Sequence, residues 1–192
     1  MKFFDGMKVY DRVPRVEQAK TGGKIIGTKW IDVNKGDLDN PNIRCRLVGK
    51  EFRTTPDDAL YASTPPLEAL RLTVSQAATY AGKWSDKKIM VNDVKRAYFH
   101  AKAIRDVYVE LPAQDSAPGM CAHLLKSMYG TRDAAQNWER EYTRTLVGLG
   151  FLPGLATPCI FYHKIRDIRV VVHGDDFTAL ASRLDGNWLC DQ

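Results

Sequence analysis

The side chains with the most chemical potential in this sequence are three aspartates. Two of them, Asp175 and Asp176, are adjacent within Val170-Val171-Val172-His173-Gly174-Asp175-Asp176-Phe177-Thr178-Ala179-Leu180. Three β-branched residues lead in, a mostly apolar run leads out, and Gly-Asp between two such runs is a hairpin-turn signal. The spacing therefore predicts a β-hairpin with buried arms and the acid pair at its tip. Neighbouring carboxylates there repel and are poorly solvated, which raises their pKa values unless a cation is present. A divalent metal ion is the natural ligand of such a pair. A third carboxylate, Asp93, ends the apolar run Lys88-Ile89-Met90-Val91-Asn92-Asp93-Val94, where a charge is costly without a partner. Taken alone, Asp93 reads better as a helix cap, and the following Tyr98-Phe99 as plain core.

The elements that must position these residues follow from periodicity. Residues 1–23 hold few apolar positions and Val13-Pro14 disfavours helix, so an extended, weakly tied lead-in is expected. Two strands, 24–33 and 43–52, flank Asn34 to Asn42, a stretch dense in turn formers. In the second, Arg44, Arg46, Val48 and Lys50 share one face by the two-residue period. That basic face lies over phosphates or meets water, and the strand pattern alone favours water. Residues 53–66 are a polar connection. A helix over 67–81 follows, with Leu67, Leu70, Val74, Ala77, Ala78 and Ala81 as its buried stripe. Strands are expected at 88–94, 106–111 and 121–126, then a second helix over 132–149 with Ala135, Trp138, Tyr142, Leu146 and Leu149 inward. Strands at 159–163 and 168–172 precede the acid hairpin, and a further helix begins after Ser182.

Composition bounds the rest. The chain has 192 residues, 44% apolar and 27% charged, as in ordinary globular domains. No apolar run approaches the length of a membrane span, and Met1-Lys2-Phe3-Phe4-Asp5 lacks a signal-peptide core, so an intracellular protein with no membrane partner is expected. The cysteines at 45, 121, 159 and 190 form no C-x-x-C pair, and Cys121 with His123 alone is too little for a structural zinc. The net charge of +5 sits wholly in residues 1–53, which hold twelve Lys/Arg against seven Asp/Glu. A basic segment beside an acidic knot suits a polyanion held near a metal, although a solvated basic face fits the composition as well.

Asp93-Val94-Lys95-Arg96-Ala97-Tyr98-Phe99, Lys126-Ser127-Met128-Tyr129-Gly130 followed by Trp138, and His173-Gly174-Asp175-Asp176 resemble, in order and spacing, the palm motifs of copia-type retrotransposon reverse transcriptases. Gly27-Thr28-Lys29-Trp30 and Arg46-Leu47-Val48-Gly49-Lys50-Glu51-Phe52 resemble that family's finger strands. The resemblance implies an RNA-directed DNA polymerase. Asp93, Asp175 and Asp176, with the Val94 carbonyl, would hold two Mg²⁺ ions (Mn²⁺ being the alternative) that activate a primer 3′-hydroxyl and stabilise leaving pyrophosphate. It implies that Arg46 and Lys50, and less directly Lys29, cradle the dNTP triphosphate, that Tyr98 checks the sugar, and that Gly130 and the helix start at Arg132 and Asp133 lie under the templating pair. The partners implied are a primed RNA or DNA template, dNTPs, and a thumb, an RNase H and an integrase from elsewhere in a polyprotein. Two departures are His173-Gly174, where the family carries an aromatic and a small aliphatic residue, and Asp133-Ala134-Ala135 in place of Gln-Ala-Pro. Gly174 is expected to loosen its turn.

The resulting fold expectation is α+β: a palm over 67–182 with an antiparallel sheet from strands near 88–94, 106–111, 159–164 and 168–182. The helices at 67–81 and 132–149 lie on one face and the three aspartates on the rim of the other. A β-rich fingers lobe over 24–66, the lead-in 1–23 and a helix start over 183–192 complete it. Two other readings remain at this level: a decayed or co-opted remnant that binds nucleic acid without catalysis, and a metal-dependent nuclease using His173 as general base.

Overall fold

Val170-Val171-Val172 and the run from Phe177 to Ala181 become the two central strands of a five-stranded antiparallel sheet. A computed structural model describes residues 2–22, 24–52, 60, 62–80 and 87–192. Its elements, in chain order, are α1 (Lys2–Met7), β1 (Tyr10–Pro14), α2 (Arg15–Thr21), β2 (Thr28–Asn34), β3 (Ile43–Gly49), α3 (Leu67–Tyr80), β4 (Lys87–Asp93), β5 (Tyr108–Val109), β6 (Met120–Leu124), α4 (Ala134–Gly148), β7 (Leu152–Pro153), β8 (Ile160–His163), β9 (Ile168–His173), β10 (Asp176–Ser182) and α5 (Arg183–Cys190). Short 3₁₀ turns cover Ala97–His100 and Ala113–Asp115. The chain forms two compact units, one of Met1–Tyr61 with Tyr98–Trp138, the other of Ala62–Ala97 with Glu139–Gln192. Among the described residues no helix is long and apolar enough to cross a membrane.

The second unit holds the sheet β4-β10-β9-β8-β7. Side chains alternate along each strand, so Phe177 and Ala179 share a face with Asn92 and Met90 of β4, Val172 and Val170 of β9, and Phe161 of β8. Tyr142 of α4 meets Phe161 and Phe177 edge-on at 6.0 and 5.8 Å. Gly186 of α5 sits so close to Met90 that a Cβ there would stand 2.1 Å from its sulfur. These two helices therefore cover that face. Phe161, Val170, Val172 and Ala179 are fully buried beneath them, each large side chain contributing about 1.5–3 kcal/mol. The expected stripe of α4 holds, with Trp138, Tyr142 and Leu146 buried. Ser182 caps α5 by accepting the Asp185 N–H at 3.1 Å, and its hydroxyl donates to the Asp185 carboxylate at 2.7 Å.

Helix α3 is turned away from its expected orientation. Its apolar residues Leu67, Leu70 and Val74 are 56%, 38% and 51% exposed, while Ala69 and Thr73 are buried. The helix lies against β4, β9 and β10 with its small residues inward, where they permit close approach. The buried Thr73 hydroxyl is satisfied by donating to the Ala69 carbonyl at 2.9 Å. The expected close of this helix at Ala81-Gly82, its following turn to Asp86, the turn at Gly23 and most of the 53–66 connection lie outside the described residues.

The first unit departs further from expectation. Residues 2–22, the described part of the expected lead-in, are not extended: α1, β1 and α2 are formed, and Phe4 and Val9 are buried in a core with Leu47, Phe99, Val107, Val109, Ala122, Leu124 and Met128. The strand expected at 106–111 shortens to β5 and does not join the five-stranded sheet. It pairs with β6, which pairs in turn with β1. The Ile26 N–H donates to the Tyr108 carbonyl and the Glu110 N–H to the Ile26 carbonyl, both at 2.8 Å, tying β5 to the residues just before β2. Strands β2 and β3 form the expected long-loop hairpin, with Trp30 opposite Leu47 on its core side.

The orientation of α3 predicts opposite outcomes at adjacent positions. Thr73→Leu overpacks the sheet contact and should lower stability by about 1–3 kcal/mol, whereas Val74→Ser should stay within about 0.5 kcal/mol. Urea titrations in which Val74→Ser is the costlier change would show the helix to be rotated.

Candidate active site

The acid pair lies where β9 turns into β10. Asp176 pairs with His173, leaving Gly174-Asp175 as a two-residue turn. Gly174 has φ +64° whereas Asp175 is not in the positive-φ region, the pattern of a type II′ hairpin turn with glycine first. Gly174 thus closes the turn rather than loosening it, correcting the expectation from the family pattern. Nothing lies within 4 Å of a Cβ placed there, so only the backbone conformation demands glycine.

On its other side Asp176 pairs directly with Asp93 of β4. The Val94 N–H donates to the Asp175 carbonyl at 2.8 Å, carrying the contact around the tip. Residues directly opposite in a ladder project from the same face, so His173, Asp176 and Asp93 form a row across three strands. Phe177, next in β10, contacts Tyr142 of α4, so the row projects from the face turned away from α4. Asp93, Asp176 and His173 are exposed and Asp175 is half-buried. The carboxylates are therefore solvated, unlike the poorly solvated pair expected from buried arms: the arms are buried but the tip is not.

Among the described residues no three His, Cys, Asp or Glu side chains group closely enough to cage a metal ion. What the tip offers is an open set of hard carboxylate oxygens. Mg²⁺ keeps waters and takes substrate phosphates instead of a full protein cage, so this donor set fits it. Cys121 is buried and His123 pairs with Asp106 at 3.2 Å.

The remaining predicted residues lie in the first unit. Lys29, Arg44 and Arg46 project from the β2–β3 face opposite Trp30 and Leu47; Lys29 and Arg44 are exposed and Arg46 is half-buried. Arg46 places its guanidinium 5.9 Å from the centroid of the Tyr129 ring, and Tyr98 packs on the same ring at 4.6 Å. The Lys50 side chain crosses Gly27, where a Cβ would stand 2.8 Å from its Cε. Gly130, at φ +83°, packs on Gly49: a Cβ there would meet the Gly49 carbonyl oxygen at 2.1 Å.

Sequence reading missed what holds these residues. The Arg105 guanidinium donates to both Glu51 oxygens at 3.0 and 2.9 Å and to Asp133 at 2.7 Å. The Arg132 N–H donates to Glu51 at 2.8 Å, and the Asn137 amide to Asp133 and to the Ser127 hydroxyl, both at 3.0 Å. Asp133, expected under a base pair, is thus buried inside an ion-pair network. Burial pushes its carboxyl up, but hydrogen bonds from Arg105 and Asn137 and the Arg105 charge bring it below the usual range. The same two carboxylates push Arg105 upward. Nothing in local periodicity links positions 51, 105 and 133.

A model of the reverse transcriptase (RNA-dependent DNA polymerase) family matches residues 8–184. The chain belongs to this family, and the copia-type resemblance read from the motifs holds. It is 24% identical over 159 residues to the Retrovirus-related Pol polyprotein from transposon TNT 1-94 of Nicotiana tabacum, covering 79% of this chain and 12% of that protein. It is 23% and 22% identical over 195 residues to the Retrovirus-related Pol polyproteins from transposons RE1 and RE2 of Arabidopsis thaliana, covering 94% of this chain and 13% of each. The chain spans about an eighth of the length of these curated relatives.

Two predictions follow from this packing. Gly130→Ala combines a backbone clash with an unfavourable φ and should destabilise by at least about 3 kcal/mol, against about 1–2 kcal/mol for Gly174→Ala, which faces open space; equal losses in thermal melts would contradict the Gly49 contact. A carboxyl held below its ordinary pKa stabilises the fold above about pH 4 and loses that contribution as pH falls through its folded value. Arg105→Met should therefore flatten the acid limb of stability below about pH 4. It should also cost about 1–3 kcal/mol at neutral pH, less than a fully buried pair because Arg105 is 39% exposed. Urea melts across that range check both.

Proposed function

We propose that this chain is the catalytic core of an RNA-directed DNA polymerase that extends a primer 3′-hydroxyl with dNTPs on an intracellular template. The observation that carries the reading is the register of β4 on β10, which sets Asp93 directly opposite Asp176 on an exposed face. Exposed acids facing each other across two paired strands repel, and they gain a purpose if a cation joins them. Asp93, Asp175 and Asp176, with the Val94 carbonyl, would hold Mg²⁺, which when bound supplies the positive charge that favours an ionised 3′-hydroxyl and a leaving pyrophosphate.

The chain's own residues do the rest. Arg46 and Lys50, with Lys29 beside them on the hairpin, bind triphosphate as fixed cations on a rigid strand end. Arg46 is restrained by the Tyr129 ring, so less freedom is lost when it engages an anion. Tyr98, packed on that ring, is a rigid wall for the sugar and disfavours a 2′-hydroxyl. Gly130, whose missing Cβ makes room for Gly49, is itself exposed and would lie under the templating base pair. In a longer polyprotein, other segments would supply a thumb, RNase H and integrase.

The test is primer extension by the purified chain with Mg²⁺, a primed RNA template and dNTPs. Asp93→Asn, Asp175→Asn and Asp176→Asn should each lower extension about a thousandfold, the equivalent of several kcal/mol of lost charge stabilisation. Undiminished extension by these variants would sink the assignment. Salt-sensitive RNA binding with no extension would instead identify a binding remnant.

A further inference from the structure

One aromatic ring joins residues that the polymerase reading assigns to different parts of the nucleotide. Tyr129 follows the buried Ser127 and Met128 and precedes the left-handed Gly130. Its carbonyl accepts the Gly49 N–H at 2.7 Å, fixing it to the end of β3. Its ring has the Arg46 guanidinium 5.9 Å from its centroid, the Tyr98 ring at 4.6 Å with 39° between planes, and the Phe99 ring edge-on at 5.6 Å. Phe99 belongs to the buried core, so this last contact anchors the ring. Arg46, Tyr98 and Tyr129 come from a strand, a 3₁₀ turn and a loop that are distant in sequence. All lie in the first unit.

We infer that Tyr129 is a positioning residue that fixes the separation between Arg46 and Tyr98, and through it the preference for deoxyribonucleotides over ribonucleotides. The inference rests on the polymerase reading, in which Arg46 holds phosphate and Tyr98 faces the sugar. Swinging Arg46 away loses its attraction to the ring face, and tilting Tyr98 loses an aromatic contact. With the ring in place, a bound triphosphate cannot shift relative to Tyr98 without breaking one of them. A 2′-hydroxyl is then rejected, because the sugar has no room to slide. The ring carries both contacts, so the phenolic oxygen is dispensable.

The experiment compares wild type, Tyr129→Phe and Tyr129→Leu in primer extension with dNTPs and with rNTPs. Tyr129→Leu should raise the dNTP KM about tenfold and lower the dNTP-to-rNTP ratio of kcat/KM about tenfold, with kcat for dNTP within about threefold. Tyr129→Phe should restore both. In a Tyr98→Leu background, Tyr129→Leu should cause no further loss of selectivity, since its effect passes through Tyr98. Should Tyr129→Leu melt below the assay temperature, Tyr129→His, which keeps a smaller ring, takes its place with the same expected directions. Unchanged selectivity in the leucine or histidine variant, failure of phenylalanine to rescue, or full additivity with Tyr98→Leu would overturn the inference while leaving the polymerase reading intact. A wild-type chain that extends no primer, alone or joined to a thumb-bearing segment, refutes the polymerase reading itself, and the inference falls with it.

Discussion

The register of β10 between β4 and β9 is the constraint on which the second unit depends. Strand side chains alternate with a period of two, so a slip by one residue would exchange the faces of the whole strand. Asp176 would then turn toward α4, and Phe177 and Ala179 would turn away from it. An unpaired carboxylate in an apolar interface is far costlier than one in water. Phe177 against Tyr142, and the buried Ala179 and Ala181 behind it, hold the register from one side. The two-residue turn at Gly174-Asp175 holds it from the end. The packing that buries one face of β10 is thus the same packing that sets Asp176 opposite Asp93 on the other.

The first unit applies the same principle to positive charge. The end of β3 is fixed by three backbone hydrogen bonds: Gly49 N–H to the Tyr129 carbonyl, Lys50 N–H to that of Gly27, and Glu51 N–H to that of Gly130. Beside them, the Arg105 bridge between Glu51 and Asp133 closes the network with side chains. Lys50 and Arg46 are therefore carried by backbone with little freedom, as a site that must hold a charged ligand in one place requires. The Gly49–Gly130 approach is what makes this possible, and it tolerates no Cβ at position 130.

The parts of this arrangement that were legible in the sequence are those decided by short-range rules. A triple-valine run, a Gly-Asp tip and a second apolar run specify a hairpin locally, and β9–β10 is that hairpin. The α4 stripe, spaced by three and four, is buried as its period requires. What was illegible depended on distant partners. Residues 1–23 look too polar to be core, yet Phe4 and Val9 pack on residues about a hundred positions away. The 106–111 run has a strand's alternation, but alternation does not say which sheet it joins, and β6 was the available neighbour. In α3 the apolar stripe was real, but the sheet required small residues at its contact, so Ala69 and Thr73 displaced the leucines.

The candidate site shows the same division, and it changes the meaning of one substitution. Against the family pattern, Gly174 stood out as a departure that should slacken the acid turn. Yet a two-residue hairpin of this type needs a left-handed first residue, and Gly174 supplies it at φ +64°. A residue with a Cβ would be strained there even though the space is open. Glycine at this position therefore makes the backbone that presents Asp175 and Asp176 more determinate. Any loss of aromatic packing at His173 is a separate matter, because that side chain is exposed in the row with Asp176 and Asp93. The geometry that sets Asp176 opposite Asp93, with Asp175 in the adjoining turn, rests on backbone and register, and neither requires the residues that the family pattern would have placed before them.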